Sequence, residues 1–364
     1  MQKHQLRSMI ILAVRGSINM KQARIIFTIL IITLCTCCTF TSVSACTAIA
    51  VYSDNTLYGF NFDYPPVDMR FDICRYNNMK VFSTSFNRSN NYEPNLEFNE
   101  EGLFGVMLIV YPEEQGQTYL STNEIFMPAL VSMVRTEDRT EDILKNIQER
   151  KVVQYANVTL HDIFADIHGN TVIIEAKGDI NNIIKNDKNF TVMTNFYNSS
   201  YKDTDLEDIQ DVGSERYKIA YKYINENIDK FDVESAFECL SKVVQKPSFS
   251  SWPTQYSLVM DPVNKDIYFT IARDFDKVWK ISLDNETIET YIGFDEYTIA
   301  HMPINGFTLS ELENSNLDNF KTYEQSKSNN TVYIITIVTG VLVLTAVIAL
   351  ILIKKRKKSN TATH

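Results

Sequence analysis

Apolar positions divide the chain into three regimes. Residues 25–34 form a short apolar run behind Lys21 and Arg24, and residues 332–353 form a longer one that carries no charge. Between them, apolar residues come in short blocks at either the strand or the helix period. Runs over 46–62, 103–111, 171–176, 190–194, 256–261, 266–272 and 277–282 read as strands. Segments 121–135, 140–150, 214–227 and 233–244 read as two helical pairs, the first with Ser and Thr starts. Strand blocks alternating with helix pairs predict an α+β domain. No internal repeat interrupts this order.

The two long apolar runs have the form of a targeting segment and an anchor. A basic start, a short apolar stretch and small residues at Val43 and Ala45 predict a signal peptide over 1–45 cleaved after Ala45, with Met20 as an alternative start. The uncharged run 332–353 at about 1.5 Å per residue crosses a hydrocarbon core of about 30 Å. Lys354, Lys355, Arg356, Lys357 and Lys358 follow it and predict a cytoplasmic tail over 354–364. The polar stretch 308–331 reads as a stalk. The expectation is a single-pass cell-membrane protein with one extracellular domain over 46–307.

Charge sharpens that division. The chain has 45 acidic and 35 basic side chains, a net charge of −10, and every acid lies between the two apolar ends. An acidic body excludes a nucleic-acid partner, which would need surplus Lys and Arg. With 22% charged and 12% aromatic residues, the composition also excludes a low-complexity protein. No Gly-rich phosphate loop and no Gly-x-Ser-x-Gly elbow is present. His161 and His168 are flanked by Asp162 and Asp166, but without a cysteine or a zinc-type spacing they predict no metal site, and no cofactor is expected.

Cysteine usage points to the new N-terminus. Cys35, Cys37 and Cys38 leave with the signal, and Cys46, Cys74 and Cys239 remain, an odd number for an oxidising compartment. A Cys74–Cys239 disulfide would leave Cys46 as the odd thiol. Cleavage after Ala45 gives Cys46 both a thiol and a free α-amine, whose pKa of about 7.7–8.0 suits a base at neutral pH. One residue then supplies nucleophile and base without a histidine. The strand from Thr47 to Tyr52, the turn Ser53–Thr56 and the return through Asp63 predict a hairpin that brings Asp63 back beside that amine.

These residues carry a resemblance. Cys46-Thr47-x-Ile49 followed by Gly59-x-Asn61-Phe62-Asp63-Tyr64 resembles the start of the choloylglycine hydrolase and penicillin V acylase family of linear amide hydrolases. Asp166-x-x-Gly169-Asn170 through Glu175, Val192-x-Thr194-Asn195, Ser214-x-Arg216-Tyr217, Tyr256–Asp261 and Lys265–Phe269 are similar to later family motifs in the same order, over residues 46–285. The resemblance implies a four-layer αββα sandwich of the N-terminal nucleophile type. It implies that Cys46 attacks, its amine acts as base and Asp63 positions the amine. It further implies that Asn195 and the backbone N–H of Val110 bind the oxyanion and that Arg216 lies near the nucleophile. Where the family has Arg in Gly-Arg-Asn, this chain has Phe60, which removes a cation and makes Phe60 a candidate wall of an acyl pocket.

The expected activity is hydrolysis of a small-molecule N-acyl amide through a thioester. Alternatives are an acyltransferase variant, or an inactive binding protein on the same scaffold. Val43-Ser44-Ala45-Cys46 also resembles a lipoprotein box, and lipidation would block the amine. Oligomeric state is left open.

Overall fold

The computed structural model describes residues 46–320, except 157, 179, 249, 315, 316, 318 and 319. The expected signal peptide over 1–45, the expected membrane span over 332–353 and the expected cytoplasmic tail lie outside the described residues. Among the described residues no helix is long and apolar enough to cross a membrane.

The chain opens with a hairpin of β1 (Thr47–Tyr52) and β2 (Thr56–Asp63), followed by a meander of β3 (Met69–Tyr76), β4 (Met79–Arg88), β5 (Asn91–Asn99) and β6 (Phe104–Ile109). Short β7 (Glu124–Phe126) and β8 (Lys151–Val153) flank α1 (Thr140–Ile147). Next come β9 (Leu160–Ala165), β10 (Thr171–Lys177), β11 (Ile180–Lys185) and β12 (Phe190–Met193). Helices α2 (Ser214–Asn227) and α3 (Val233–Lys242) follow, then β13 (Thr254–Asp261), β14 (Asp266–Ile271), β15 (Val278–Ser282), β16 (Thr287–Ile292), β17 (Ile299–His301), β18 (Phe307–Thr308) and α4 (Leu309–Asn314). Two eight-stranded sheets result, ordered β12-β1-β2-β13-β14-β15-β16-β17 and β11-β10-β9-β6-β5-β4-β3-β18. Neighbours in both are antiparallel.

Side-chain alternation assigns each strand two faces. Ala48 and Ala50 of β1 join Tyr58, Phe60 and Phe62 of β2 in the core between the sheets, against Phe71, Phe82, Phe98 and Ile163. Ile49, Val51 and Leu57 point the other way, under Ala220 and Ile224 of α2 and Phe237 and Leu240 of α3. The second sheet turns Phe164, Val172 and Ile174 outward against Leu130, Val134, Ile143 and Ile147. Helical segments therefore cover the outer faces of two facing sheets, each buried large side chain contributing roughly 1.5–3 kcal/mol. The helix starts are built locally: Asp232 accepts the Ser235 N–H at 2.8 Å to cap α3. Asp166 Oδ2 accepts the Thr140 N–H at 3.1 Å to hold the start of α1.

The α+β class read from the pattern is what the structure has, with four local corrections. Segment 121–135 is not an α-helix. It folds as β7 and two 3-10 turns, Met127–Ala129 and Val131–Arg135, because Pro128 removes a helix donor. Strands β3, β4, β5, β9 and β11 had no counterpart among the expected strands. The domain does not end at 307: Leu309, Leu312, Leu317 and Phe320 are buried in the inter-sheet core, and the Phe307 and Phe320 rings lie 5.4 Å apart. This stretch is packed, so the stalk cannot begin at 308. Finally, Cys74 and Cys239 are free. Cys74 sits on β3 of one sheet, whereas Cys239 belongs to α3, which packs on the outer face of the other.

Candidate active site

The hairpin register is what builds the site. Thr47 pairs with Asn61, so Cys46 at the mouth of β1 and Asp63 at the end of β2 meet. Cys46 is 4% exposed and its Sγ–H points at the Asp63 carbonyl oxygen, 3.7 Å away. Asp63 has no exposed surface; its Oδ1 accepts the Thr254 hydroxyl at 2.5 Å. The other carboxylate oxygen, Oδ2, is buried without a hydrogen-bond partner and lies 3.9 Å from Arg216 Nη1.

Arg216 joins the pieces. Its Nη1 donates to the Cys46 carbonyl and to Thr47 Oγ1 at 2.8 Å, and its Nη2 donates to Asn195 Oδ1 at 2.7 Å. The fork is brought in by Gly213, which precedes α2 at φ +83. A Cβ on Gly213 would lie 2.7 Å from Arg216 Nη2 and 3.0 Å from Thr194 Oγ1, so only glycine lets the helix start this close. Asn195 follows β12, the strand beside β1. Its Nδ2 donates to Ile109 O at 2.6 Å and its own carbonyl accepts the Tyr111 N–H at 2.8 Å. An amide nitrogen carries two protons, so one Asn195 N–H has no described acceptor.

Burial dominates the electrostatics. It pushes the Cys46 thiol up to about 12, with Asp63 adding to the rise and Arg216 opposing it. Burial likewise pushes Asp63 up to about 8, although Arg216, Thr254 and Arg273 all favour its charged form. Within the unprocessed chain the thiol is protonated and needs a base to become a nucleophile.

Cys46, Asp63, Asn195 and Arg216 thus come together. Two other expected residues do not serve as expected. The Val110 N–H donates to Thr159 O at 3.0 Å, so it is already engaged and is not an available oxyanion donor. Phe60 has no exposed surface and packs between the Phe62 and Tyr256 rings, each 6.1 Å away. It is a core residue and not a pocket wall. Sequence reasoning passed over Thr254 and a buried trio beside the thiol, in which Tyr256 OH lies 2.9 Å from Thr84 Oγ1 and accepts from Asn95 Nδ2 at 3.2 Å. A groove of about 920 Å³ opens nearby, lined by Phe196 and Tyr217, the residues that follow Asn195 and Arg216, but Cys46 does not line it.

No family model matches the sequence, and no curated protein matches it. Solved structures do. Two variants of conjugated bile acid hydrolase from Clostridium perfringens align at TM-score 0.53, with 16% and 15% identity over 71% of this chain and 100% and 98% of theirs. Penicillin V acylase from Agrobacterium tumefaciens aligns at TM-score 0.51 and 14% identity, over 67% of this chain and 90% of its own. The fold is that of conjugated bile acid hydrolase and penicillin V acylase. With two thirds or more of this chain aligned, the likeness is one of the fold.

Proposed function

We propose that the chain is a linear amide hydrolase whose mature N-terminus is Cys46. The supporting observation is the convergence of Asp63, Asn195 and Arg216 on Cys46, with a buried carboxylate oxygen of Asp63 left without a donor. On this reading, cleavage after Ala45 turns the Cys46 amide nitrogen into a charged amine that pairs with that oxygen. The neutral amine takes the thiol proton. The thiolate attacks the amide carbonyl, and the second Asn195 N–H stabilises the oxyanion. Collapse breaks the C–N bond as the ammonium returns its proton to the leaving nitrogen. Water, deprotonated by the same amine, then hydrolyses the thioester to the acid.

The substrate class is a small N-acyl amide. This reading includes export of the acidic domain, anchoring through the apolar run 332–353 and chemistry outside the cell. One feature favours the inactive binding protein as a second reading: Phe60 is wholly buried where the family that the chain resembles has Arg, and the Arg216 guanidinium is bound to the Cys46 carbonyl.

The test is the full-length chain expressed in a secreting host, N-terminally sequenced, and assayed on penicillin V, conjugated bile acids and N-acylaminocoumarins. A free Cys46 amine, hydrolysis of one of these amides and its loss in Cys46→Ala are expected. Hydrolysis at the parent rate by Cys46→Ala, or a blocked Cys46 amine in an active preparation, sinks the mechanism. Release of acyl transfer product with an added amine in place of acid would favour the acyltransferase variant.

A further inference from the structure

Behind Asn195 lies a second buried pair that the chemistry above leaves unused. His161 on β9 and Glu175 on β10 are cross-strand partners, and neither has exposed surface. His161 Nε2 lies 2.8 Å from the Thr194 carbonyl oxygen. A carbonyl only accepts, so this nitrogen carries a proton. Nδ1 faces Glu175 Oε1 at 3.7 Å. Burial works against charge on Glu175, yet His161 and Ser199 together hold its carboxyl below the ordinary range. The same carboxylate accepts the Asn198 N–H at 2.6 Å and the Ser199 N–H at 3.2 Å.

The pair therefore grips segment 194–199 at both ends, and Asn195 is the second residue of that segment. Asn195 leaves β12 in one sheet, whereas His161 and Glu175 belong to the other. β12 itself reaches this segment through the Val192 carbonyl, which accepts from Asn198 Nδ2 at 3.3 Å. The Thr194 carbonyl and the backbone of the turn at Asn198 are held from the opposite sheet, by groups that would be costly to bury for packing alone.

We infer that His161 and Glu175 are positioning residues that hold Asn195 at the distance from Cys46 where its amide meets the oxyanion; this rests on the amidase reading above. Neither touches substrate. Displacement of a catalytic group by about 1 Å can cost up to about 100-fold in rate, which sets the scale of the effect.

The test uses the full-length processed protein and the N-acylaminocoumarin that the parent cleaves fastest. His161→Leu and Glu175→Gln are expected to lower kcat about 10-fold or more with KM changed less than about 2-fold. His161→Gln, which keeps a donor for Thr194 O, should recover part of the loss. Alkylation of Cys46 by iodoacetamide should proceed at the parent rate, since the nucleophile is untouched. In an Asn195→Ala background, His161→Leu should add no further loss, because both act through one amide. Multiplicative losses in that background, or an unchanged kcat in both single variants, overturn the positioning role. Full activity of both Asn195→Ala and Cys46→Ala overturns the amidase reading itself, a different result from additivity. Circular dichroism melting of each variant accompanies the kinetics, and Glu175→Gln, isosteric with the parent, carries the test where His161→Leu does not fold.

Discussion

Arg216 and Asn195 are joined by a hydrogen bond of 2.7 Å from Nη2 to Oδ1, while the other arm of the same guanidinium holds the Cys46 carbonyl. One fork thus sets Cys46, the proposed nucleophile, and Asn195, the proposed amide donor, against each other. Lysine has no fork and can serve only one of these partners. Arg216→Lys is expected to lower kcat about 10²–10³-fold, the range for losing an oxyanion donor. Arg216→Ala also leaves Asp63 buried without its cation and should cost roughly 3–5 kcal/mol of stability. Steady-state kinetics and urea unfolding read the two effects separately. A lysine variant with parent kcat would show that the fork does not organise the site.

Asn195 and Arg216 were reached through the family resemblance and not through local pattern. The opening hairpin was legible because Thr47 to Tyr52 and Leu57 to Asp63 are β-rich, largely apolar runs on either side of a turn, and their register brings Asp63 to Cys46. Strand β5 was hidden for the opposite reason. Asn95, Glu97 and Asn99 are buried in it, which breaks the apolar pattern of a core strand. Their partners come from afar: Arg135 donates to Glu97 at 2.8 Å, Asn95 donates to Tyr256 OH, and Asn99 donates to Val134 O at 2.8 Å. No window of sequence contains both halves of such pairs. The segment from 308 misled in the same way, since Leu309, Leu312, Leu317 and Phe320 are spaced among polar residues that solvate the other side. Val110 could not be judged from its neighbours, because the acceptor of its N–H, Thr159, lies on the approach to another strand.

The free thiols give a chemical check on the layer order. Cys74 is partly exposed and donates to Asp72 Oδ1 at 3.3 Å, and Cys239 is buried on the sheet-facing side of α3. Burial, with Asp72 adding to it, pushes the Cys74 thiol up to about 11, so it alkylates slowly at neutral pH and faster as pH rises. Without reductant, iodoacetamide should label Cys74 in the folded protein and Cys239 only after unfolding. Intact mass of the denatured, alkylated protein should be the same with and without reductant. A gain of label on reduction would mean that the two cysteines are bridged.

Gly59 tests the packing between the two strands of the opening hairpin on the face that α3 covers. A Cβ there would lie 2.8 Å from Ile49 Cγ1 and 3.4 Å from Leu240 Cδ1. Ile49 is fully buried and has little room to give. Gly59→Ala should destabilise by roughly 1–3 kcal/mol through overpacking. Ile49→Val in the same chain removes Cδ1, which lies 3.0 Å from that Cβ, though Cγ1 stays, and should recover part of that loss. Equilibrium unfolding of the single and double variants measures it, and a neutral Gly59→Ala would mean that the Ile49 side chain gives way without cost.

Asp63 makes the unprocessed chain and the processed chain respond oppositely to pH. Burial raises its folded pKa to about 8, from an unfolded value of about 3.9. Between these values the folded state holds a proton that the unfolded state has released. Stability carried by this group is therefore complete below about pH 4 and declines as pH climbs toward 8. In the chain that retains residues before Cys46, the difference in melting temperature between Asp63→Asn and the parent should widen from pH 5 to pH 8, with the variant the more stable. After cleavage, the Cys46 amine gives Asp63 Oδ2 a donor and a positive neighbour, and the asparagine variant should lose that advantage. Thermal melts of both forms across this range decide it. A parent chain whose melting difference from Asp63→Asn is flat with pH before cleavage would mean that Asp63 stays ionised without the amine, and the orphan oxygen would then have no role in receiving the new N-terminus.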